Sequence, residues 1–321
     1  MGKSTSVVNV GAFLAAHGKS VLIVDLDPQA NSTSGMGVDP YQIEWNLYHV
    51  LTNGLLPEEA IRKTGVNGLD LLPSSTSLAG AGIELVTQPN REFRLREALS
   101  RVSTNYDYIL IDSPPSLGLL TINGLVASDF IVIPVQCEYY ALEGIGHLLK
   151  TIELIRDNLG HNVSVLGAVL TMYDKRNRLN RDVVKEMNRN FPGRVFNSVI
   201  PRCVSLAEAP SFGKTILQYD LYSKGGKAYR QLAEEILGLE NVGGPEIPIA
   251  AEAVAEESIL NTEDINSLEP EDGVVATEAS NNFVDVEIVT TLAVAEEVPD
   301  FQNQNLENSN EVSLEENIKQ I

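Results

Sequence analysis

Ser20-Val21-Leu22-Ile23-Val24-Asp25-Leu26-Asp27-Pro28-Gln29 is the stretch on which the fold of this chain turns. Residues 20–24 form a short, largely apolar run that meets a carboxylate at Asp25, and a second acid, Asp27, comes two residues later. Such a run, bounded by a turn-forming Asp-Pro, reads as a buried strand. Upstream, Val7, Val8, Val10, Gly11, Leu14 and Ala15 recur near helical spacing, and Gly18 supplies a stop. The pattern repeats downstream. Residues 108–111 are a strand ending at Asp112, and residues 130–135, 163–171 and 195–200 are further strands. Helices are expected over residues 116–127, 142–158, 181–190 and 222–237. Nearly all-apolar strands separated by helices predict an α/β fold, doubly wound, with a mostly parallel sheet and helices on both faces. Ligands bind such sheets at the carboxyl ends of the strands. Asp25, Asp27 and Asp112 all belong at that edge.

The chemistry to expect there is set by Gly2-Lys3-Ser4-Thr5, the closing half of a G-x-x-x-x-G-K-[ST] phosphate loop. Gly2 lets the backbone approach a phosphate closely, and amides opening the following helix point at the anion. Lys3 reaches the β/γ-phosphates as a point charge, and the Ser4 hydroxyl suits Mg²⁺. An acid at a strand end beside such a loop is the Walker B arrangement, which Asp112 fits. A second acid, Asp25 or Asp27, is then placed to orient an attacking water. The expected ligands are ATP and Mg²⁺. The loop's first half and the strand before it are not in the written sequence. This predicts that the first strand of the sheet is missing and that neighbouring strand edges are left unpaired. Poor folding and feeble hydrolysis by the 321-residue form follow as expectations.

The net charge of −21 divides unevenly. Residues 246–321 hold 19 acids and one base, Lys319; the rest hold 25 acids and 22 bases. Residues 1–242 are therefore expected to form the ATPase domain, and residues 243–321 a disordered acidic tail. Short apolar runs in the tail, such as residues 284–289, are candidates for transient strands or docking segments. The chain has no run of 18 or more apolar residues and no basic-then-apolar leader. Cys137 and Cys203 lack metal-ligand spacing and read as buried small residues of a reduced, cytoplasmic protein.

Five blocks carry a family resemblance: residues 21–29, 106–117 (Tyr-Asp-Tyr-Ile-Leu-Ile-Asp-Ser-Pro-Pro-Ser-Leu), 134–144, 170–174 and 199–214. Together with Gly2-Lys3-Ser4-Thr5 they make the chain similar to the ParA/Soj partition ATPases. That deviant-Walker group also contains MinD and the nitrogenase iron protein. The resemblance runs through residues 2–240. It implies that Lys3 is the phosphate-loop lysine, Ser4 a Mg²⁺ ligand, Asp27 the acid positioning the hydrolytic water and Asp112 the Walker B acid. It places Pro201 and Arg202 near the adenine. It also implies an ATP-sandwich homodimer, nonspecific DNA binding, a ParB-type centromere-binding partner and a nucleoid-associated location. The family loop begins K-G-G, and its first lysine reaches the partner subunit's phosphates; that lysine is not in this sequence. Met1 stands where the family commonly has valine, so the expectation is an internal GTG valine codon read as the start.

Residues 175–230 hold 12 of the 23 basic residues against four acids. Lys175, Arg176, Arg178, Arg181, Arg189, Arg194 and Lys214 are the DNA-contact candidates, with Lys185, Arg202, Lys224, Lys227 and Arg230 in the same stretch. Three rival readings are weighed. A MinD-like membrane ATPase calls for a basic amphipathic C-terminal helix, whereas this C-terminus is acidic. A nitrogenase-type reductase calls for cluster-binding cysteines, which Cys137 and Cys203 do not match. A non-catalytic nucleotide-binding or interaction protein is the reading if the short start is genuine.

Overall fold

The apolar runs form the expected strands, and their acids end them. The computed structural model describes residues 2–116, 118–138, 141–240 and 290–294. Its strands are β1 (Val21–Asp25), β2 (Arg62–Lys63), β3 (Leu69–Leu72), β4 (Tyr108–Asp112), β5 (Phe130–Gln136), β6 (Ser164–Thr171) and β7 (Thr290–Val294). The helices are α1 (Lys3–Ala16), α2 (Asn31–Gly35), α3 (Leu47–Thr52), α4 (Pro57–Ala60), α5 (Leu78–Glu84) and α6 (Arg94–Leu99). They continue with α7 (Leu119–Val126), α8 (Ala141–Leu159), α9 (Arg178–Asn190), α10 (Val204–Glu208), α11 (Ile216–Tyr219) and α12 (Lys224–Glu240).

The strands make one sheet in the order β2-β3-β1-β4-β7-β5-β6. β1 runs parallel to β3 and β4, with Asp25 level with Asp112. β5 and β6 are parallel to each other. β7 is antiparallel to both β4 and β5, so those two run the same way. The five parallel strands therefore present their carboxyl ends along one edge. Every residue of β1, β3 and β4 is buried, as a sheet covered on both faces requires.

α1 is apolar nearly all round and packs inside the molecule rather than along its surface. Its polar residues are tied off. Ser6 shares a hydrogen bond with the Tyr229 hydroxyl of α12 at 3.0 Å, and Asn9 Oδ1 accepts the Ile216 amide of α11 at 2.7 Å. Gly11 leaves room for Ile23 and Leu110, which a β-carbon would approach to 3.0 and 3.2 Å. These contacts fix α1 against β1, β4 and the closing helices.

Some expectations are changed by the structure. The facing edges of β4 and β5, expected to be unpaired, are paired with Thr290–Val294. Of the expected tail, residues 243–321, only these five are described, and they form a strand; the rest of that reading, residues 284–289 included, lies outside the described residues. Residues 195–200 do not form a strand. They follow β6 through isolated bridges at Val195 and Pro201. The Glu235 carboxylate of α12 takes the Asn197 amide at 2.9 Å and the Ser198 amide at 2.7 Å, and the Ser198 amide is thereby withheld from β6, which pairs with Phe196 and Ile200 on either side. Cys137 is buried as expected, but Cys203 is only half-buried.

Candidate nucleotide site

Gly2 caps α1 in the left-handed region, φ 107°, which favours glycine. Lys3, Ser4 and Thr5 open the helix, so their amides have no partner within it. A β-carbon on Gly2 would lie 3.4 Å from Thr171 Oγ1, so the turn sits against the carboxyl end of β6. Lys3 is nine-tenths buried.

Asp25 and Asp112 are fully buried side by side at the ends of β1 and β4. Asp25 Oδ2 accepts both the amide (2.7 Å) and the hydroxyl (2.6 Å) of Thr33. Asp112 Oδ2 accepts the Ser32 hydroxyl at 2.7 Å, and Ser4 is near enough to this carboxylate to favour its charged form. Asp112 Oδ1 is buried without a hydrogen-bond partner among the described residues, as is the neighbouring Ser113 Oγ. Burial, and then the Asp112 charge, push the Asp25 carboxyl well above the ordinary carboxylate range. Burial also raises Asp112, while the Ser32 and Ser4 hydroxyls and the Lys3 charge pull it back down. Two buried carboxylates this close, with an orphaned oxygen on one, suit a divalent cation better than a solvent-free pair.

Asp27 stands just beyond β1. Its Oδ1 accepts the Gln29 amide at 2.9 Å, and its carbonyl accepts the Ser74 hydroxyl at 2.7 Å. Ser74 in turn takes Thr33 Oγ1 as acceptor for its amide at 2.9 Å. The short α2 is thus bonded into both carboxylates. Its exit is equally constrained. Gly37 and Gly213 both have positive φ, and a β-carbon on Gly213 would come within 2.5 Å of Gly37 Cα.

Lys3, Ser4 and Asp27 all act on the Asp112 carboxylate, with Asp25 beside it. Ser32 and Thr33 were not expected; the signal was the polar run Asn31-Ser32-Thr33 directly after the strand-end acids. Pro201 bridges Tyr173 just past β6, and the Arg202 amide donates to the Tyr173 carbonyl at 3.0 Å. The Arg202 guanidinium reaches Glu138, just past β5, at 3.5 Å. This turn shares the edge with Gly2.

The basic candidates are spread over several elements. Lys175 and Arg176 sit on the turn before α9, Arg178, Arg181 and Arg189 on α9 itself, Arg194 beyond it, and Lys214 before α11. All are exposed. Several are already engaged: Arg176 with Asp174 at 2.7 Å, Arg178 with Asp182 at 3.7 Å, and Arg181 with the Lys175 carbonyl at 2.8 Å. Among the described residues no helix is long and apolar enough to cross a membrane.

Comparison with known proteins agrees with this architecture. A family model, AAA_31, described as an AAA domain, matches residues 1–165. The sporulation initiation inhibitor protein Soj of Bacillus subtilis is 50% identical over 236 residues, covering 74% of this chain and 93% of that protein. The chromosome partitioning protein ParA of Myxococcus xanthus is 43% identical over 250 residues, covering 78% and 88%. The solved cobyrinic acid a,c-diamide synthase of Mycobacterium smegmatis, with bound ADP and magnesium, superposes with a TM-score of 0.67. It is 34% identical, with 77% of this chain and 93% of that one covered. The cell division ATPase MinD of Pyrococcus furiosus gives 0.62 at 26% identity, covering 74% and 94%. With a half-chain family match and half of the aligned residues shared with Soj, this chain belongs to the ParA/Soj family of chromosome-partitioning ATPases.

Proposed function

We propose that the chain hydrolyses ATP with Mg²⁺ at the edge formed by α1, β1 and β4, and that it acts in DNA partition. The observation that carries this reading is the buried Asp112, with the Ser32 hydroxyl donating to Oδ2 and Oδ1 left without a partner among the described residues. Ser4 and Asp112 are the residues that would hold Mg²⁺. When bound, the ion neutralises charge building on the terminal phosphate. The Lys3 ammonium supplies a second positive charge, held nearly out of water where it acts more strongly. The α1 amides bind phosphate oxygens. The Asp27 carboxylate, anchored by Gln29, orients water for attack. Pro201 and Arg202 are the residues proposed to border the base.

The partition reading adds an ATP-dependent homodimer, a ParB-type partner and nonspecific DNA contact through Lys175, Arg189, Arg194 and Lys214, in a cytoplasmic, nucleoid-associated protein. Its support is family membership and the exposed cations of residues 175–214. Residues 1–242 are the proposed ATPase domain.

Phosphate release by the purified chain, with ATP and Mg²⁺, tests the site. Lys3→Ala is expected to lower turnover by about 100-fold or more. Equal turnover by the variant would sink the assignment.

A further inference from the structure

β1 divides its side chains between two cores. Val21 and Ile23 pack with α1, while Leu22 and Val24 pack on the opposite face with Leu47 of α3 and Leu95 of α6. Between α3 and α6, on that second face, lies a cavity of about 340 Å³. None of its lining residues belongs to α1, α2, β1 or β4, so it is separate from the nucleotide edge. Val50 and Leu51 of α3 and Ala98 of α6 give it apolar walls. Gln88, Glu97 and Arg101 line it as exposed residues around its mouth.

Arg94, which also lines the cavity, is half-buried. Its Nε is buried with no hydrogen-bond partner among the described residues. The position is imposed by its neighbours. Asn123 Oδ1 of α7 accepts the Leu95 amide at 3.1 Å, and Asn123 Nδ2 donates to the Arg91 carbonyl at 2.8 Å. These bonds fix the first turn of α6. Leu95 and Leu99 take its core side, and Arg94, Glu97, Ala98 and Arg101 recur at helical spacing beside them. A guanidinium N–H shut away from water costs free energy until an acceptor meets it. Glu97 does not serve Nε, although it follows Arg94 by three residues. Arginine Nε and Nη present parallel donors, a fork that one carboxylate or phosphate fills.

We propose that this cavity binds a small organic anion. A carboxylate or phosphate head sits on Arg94, supported by Arg101, and a short apolar body lies against Val50, Leu51 and Ala98. The volume is at the lower end of the range for small-molecule sites, which suits a body of a few carbons. Apolar walls with a few convergent polar side chains are what such sites show. Two arginines against one glutamate set the sign of the head. The proposal is independent of the nucleotide site.

NMR titration of the intact chain with valerate and with butyl phosphate tests it, because the two share an alkyl chain and differ in the head. The Arg94 Nε–H signal is expected to shift and saturate in the millimolar range with at least one of them, and the tighter of the two identifies the head. Butylammonium, with the same chain and a cationic head, is expected to leave the signal in place. An Arg94 signal unmoved by both anions, or moved equally by butylammonium, overturns the proposal. Phosphate held by the α1 amides leaves this signal alone, so binding at the nucleotide edge does not imitate the result. Read on the Val50 and Leu51 methyls, Arg94→Lys is expected to weaken the preferred anion about 10-fold, since lysine lacks the fork. Glu97→Gln is expected to tighten it about 3-fold by removing a like charge from the mouth. Glu97 is exposed, so that variant tests the site whatever Arg94→Lys does to folding. Unchanged affinity in both variants overturns the assignment.

Discussion

The carboxylate edge and the basic stretch hold their charges in opposite ways. Asp25 and Asp112 are wholly buried, and the Ser32 and Thr33 hydroxyls beside them are committed to their carboxylates. The cations of residues 175–194 stand in water; Arg176 is held by Asp174 at 2.7 Å, while Arg178 and Lys185 pair loosely with Asp182 at 3.7 and 3.8 Å. Charges in a dry site interact strongly and cannot be replaced by solvent. Exposed pairs contribute about 0–1 kcal/mol each and fade with salt. The first region works through single atoms in fixed places, the second through a sum of weak, interchangeable charges.

The sharpest way to break this contrast is Asp27→Ala. Turnover is expected to fall by about 100-fold with nucleotide affinity changed by less than about 3-fold, as for a group acting on the attacking water. Fluorescent-nucleotide titration beside phosphate release checks both, and a large loss of affinity would move Asp27 from hydrolysis to binding.

Next comes pH. The Asp25 and Asp112 carboxyls are raised, so the metal-free folded chain keeps protons that the unfolded chain has released. Stability from this source is greatest below the ordinary carboxylate range and is lost as pH rises toward the raised values. The urea midpoint of metal-free protein is expected to be lower at about pH 8 than at about pH 5, and Asp25→Asn to flatten the difference. A midpoint that climbs over the same interval would contradict a pair of carboxyls held protonated by burial.

Glu235→Ala is smaller. It strips the acceptors from the Asn197 and Ser198 amides, and a loss of about 1–2 kcal/mol is expected in denaturant unfolding. Smallest on stability, within about 0.5 kcal/mol, are Lys175→Ala and Arg194→Ala. Each is expected to reduce the slope of log DNA affinity against log salt by about 1. Slopes that stay constant would remove these side chains from the DNA surface.

Four of the strands were legible because each is a nearly unbroken apolar run that meets a polar stop. β3 was not, because Asp70 interrupts Leu69-Asp70-Leu71-Leu72. That acid is tolerated inside by Lys63 Nζ and the Tyr106 hydroxyl, each at 2.8 Å, and both lie away from it in sequence. Residues 195–200 looked like a strand because their apolar content is right; only the fold brings Glu235 to their amides. At the site, the acids and the lysine were legible from strand ends and motif. Ser32 and Thr33 were not, since hydroxyls on a short polar helix announce no role until carboxylates lie beside them. β7 was hidden by averaging, its uncharged core diluted by acids on both sides.

The crossing of Gly37 and Gly213 has a mechanical consequence. Backbone meets backbone there, and neither residue carries a side chain that might yield. The helix holding Ser32 and Thr33 lies just before one glycine, and Lys214 directly follows the other. The residues that grip the buried carboxylates and an exposed cation far along the chain thus flank a single contact of bare backbone, where a side chain on either glycine would force the two segments apart.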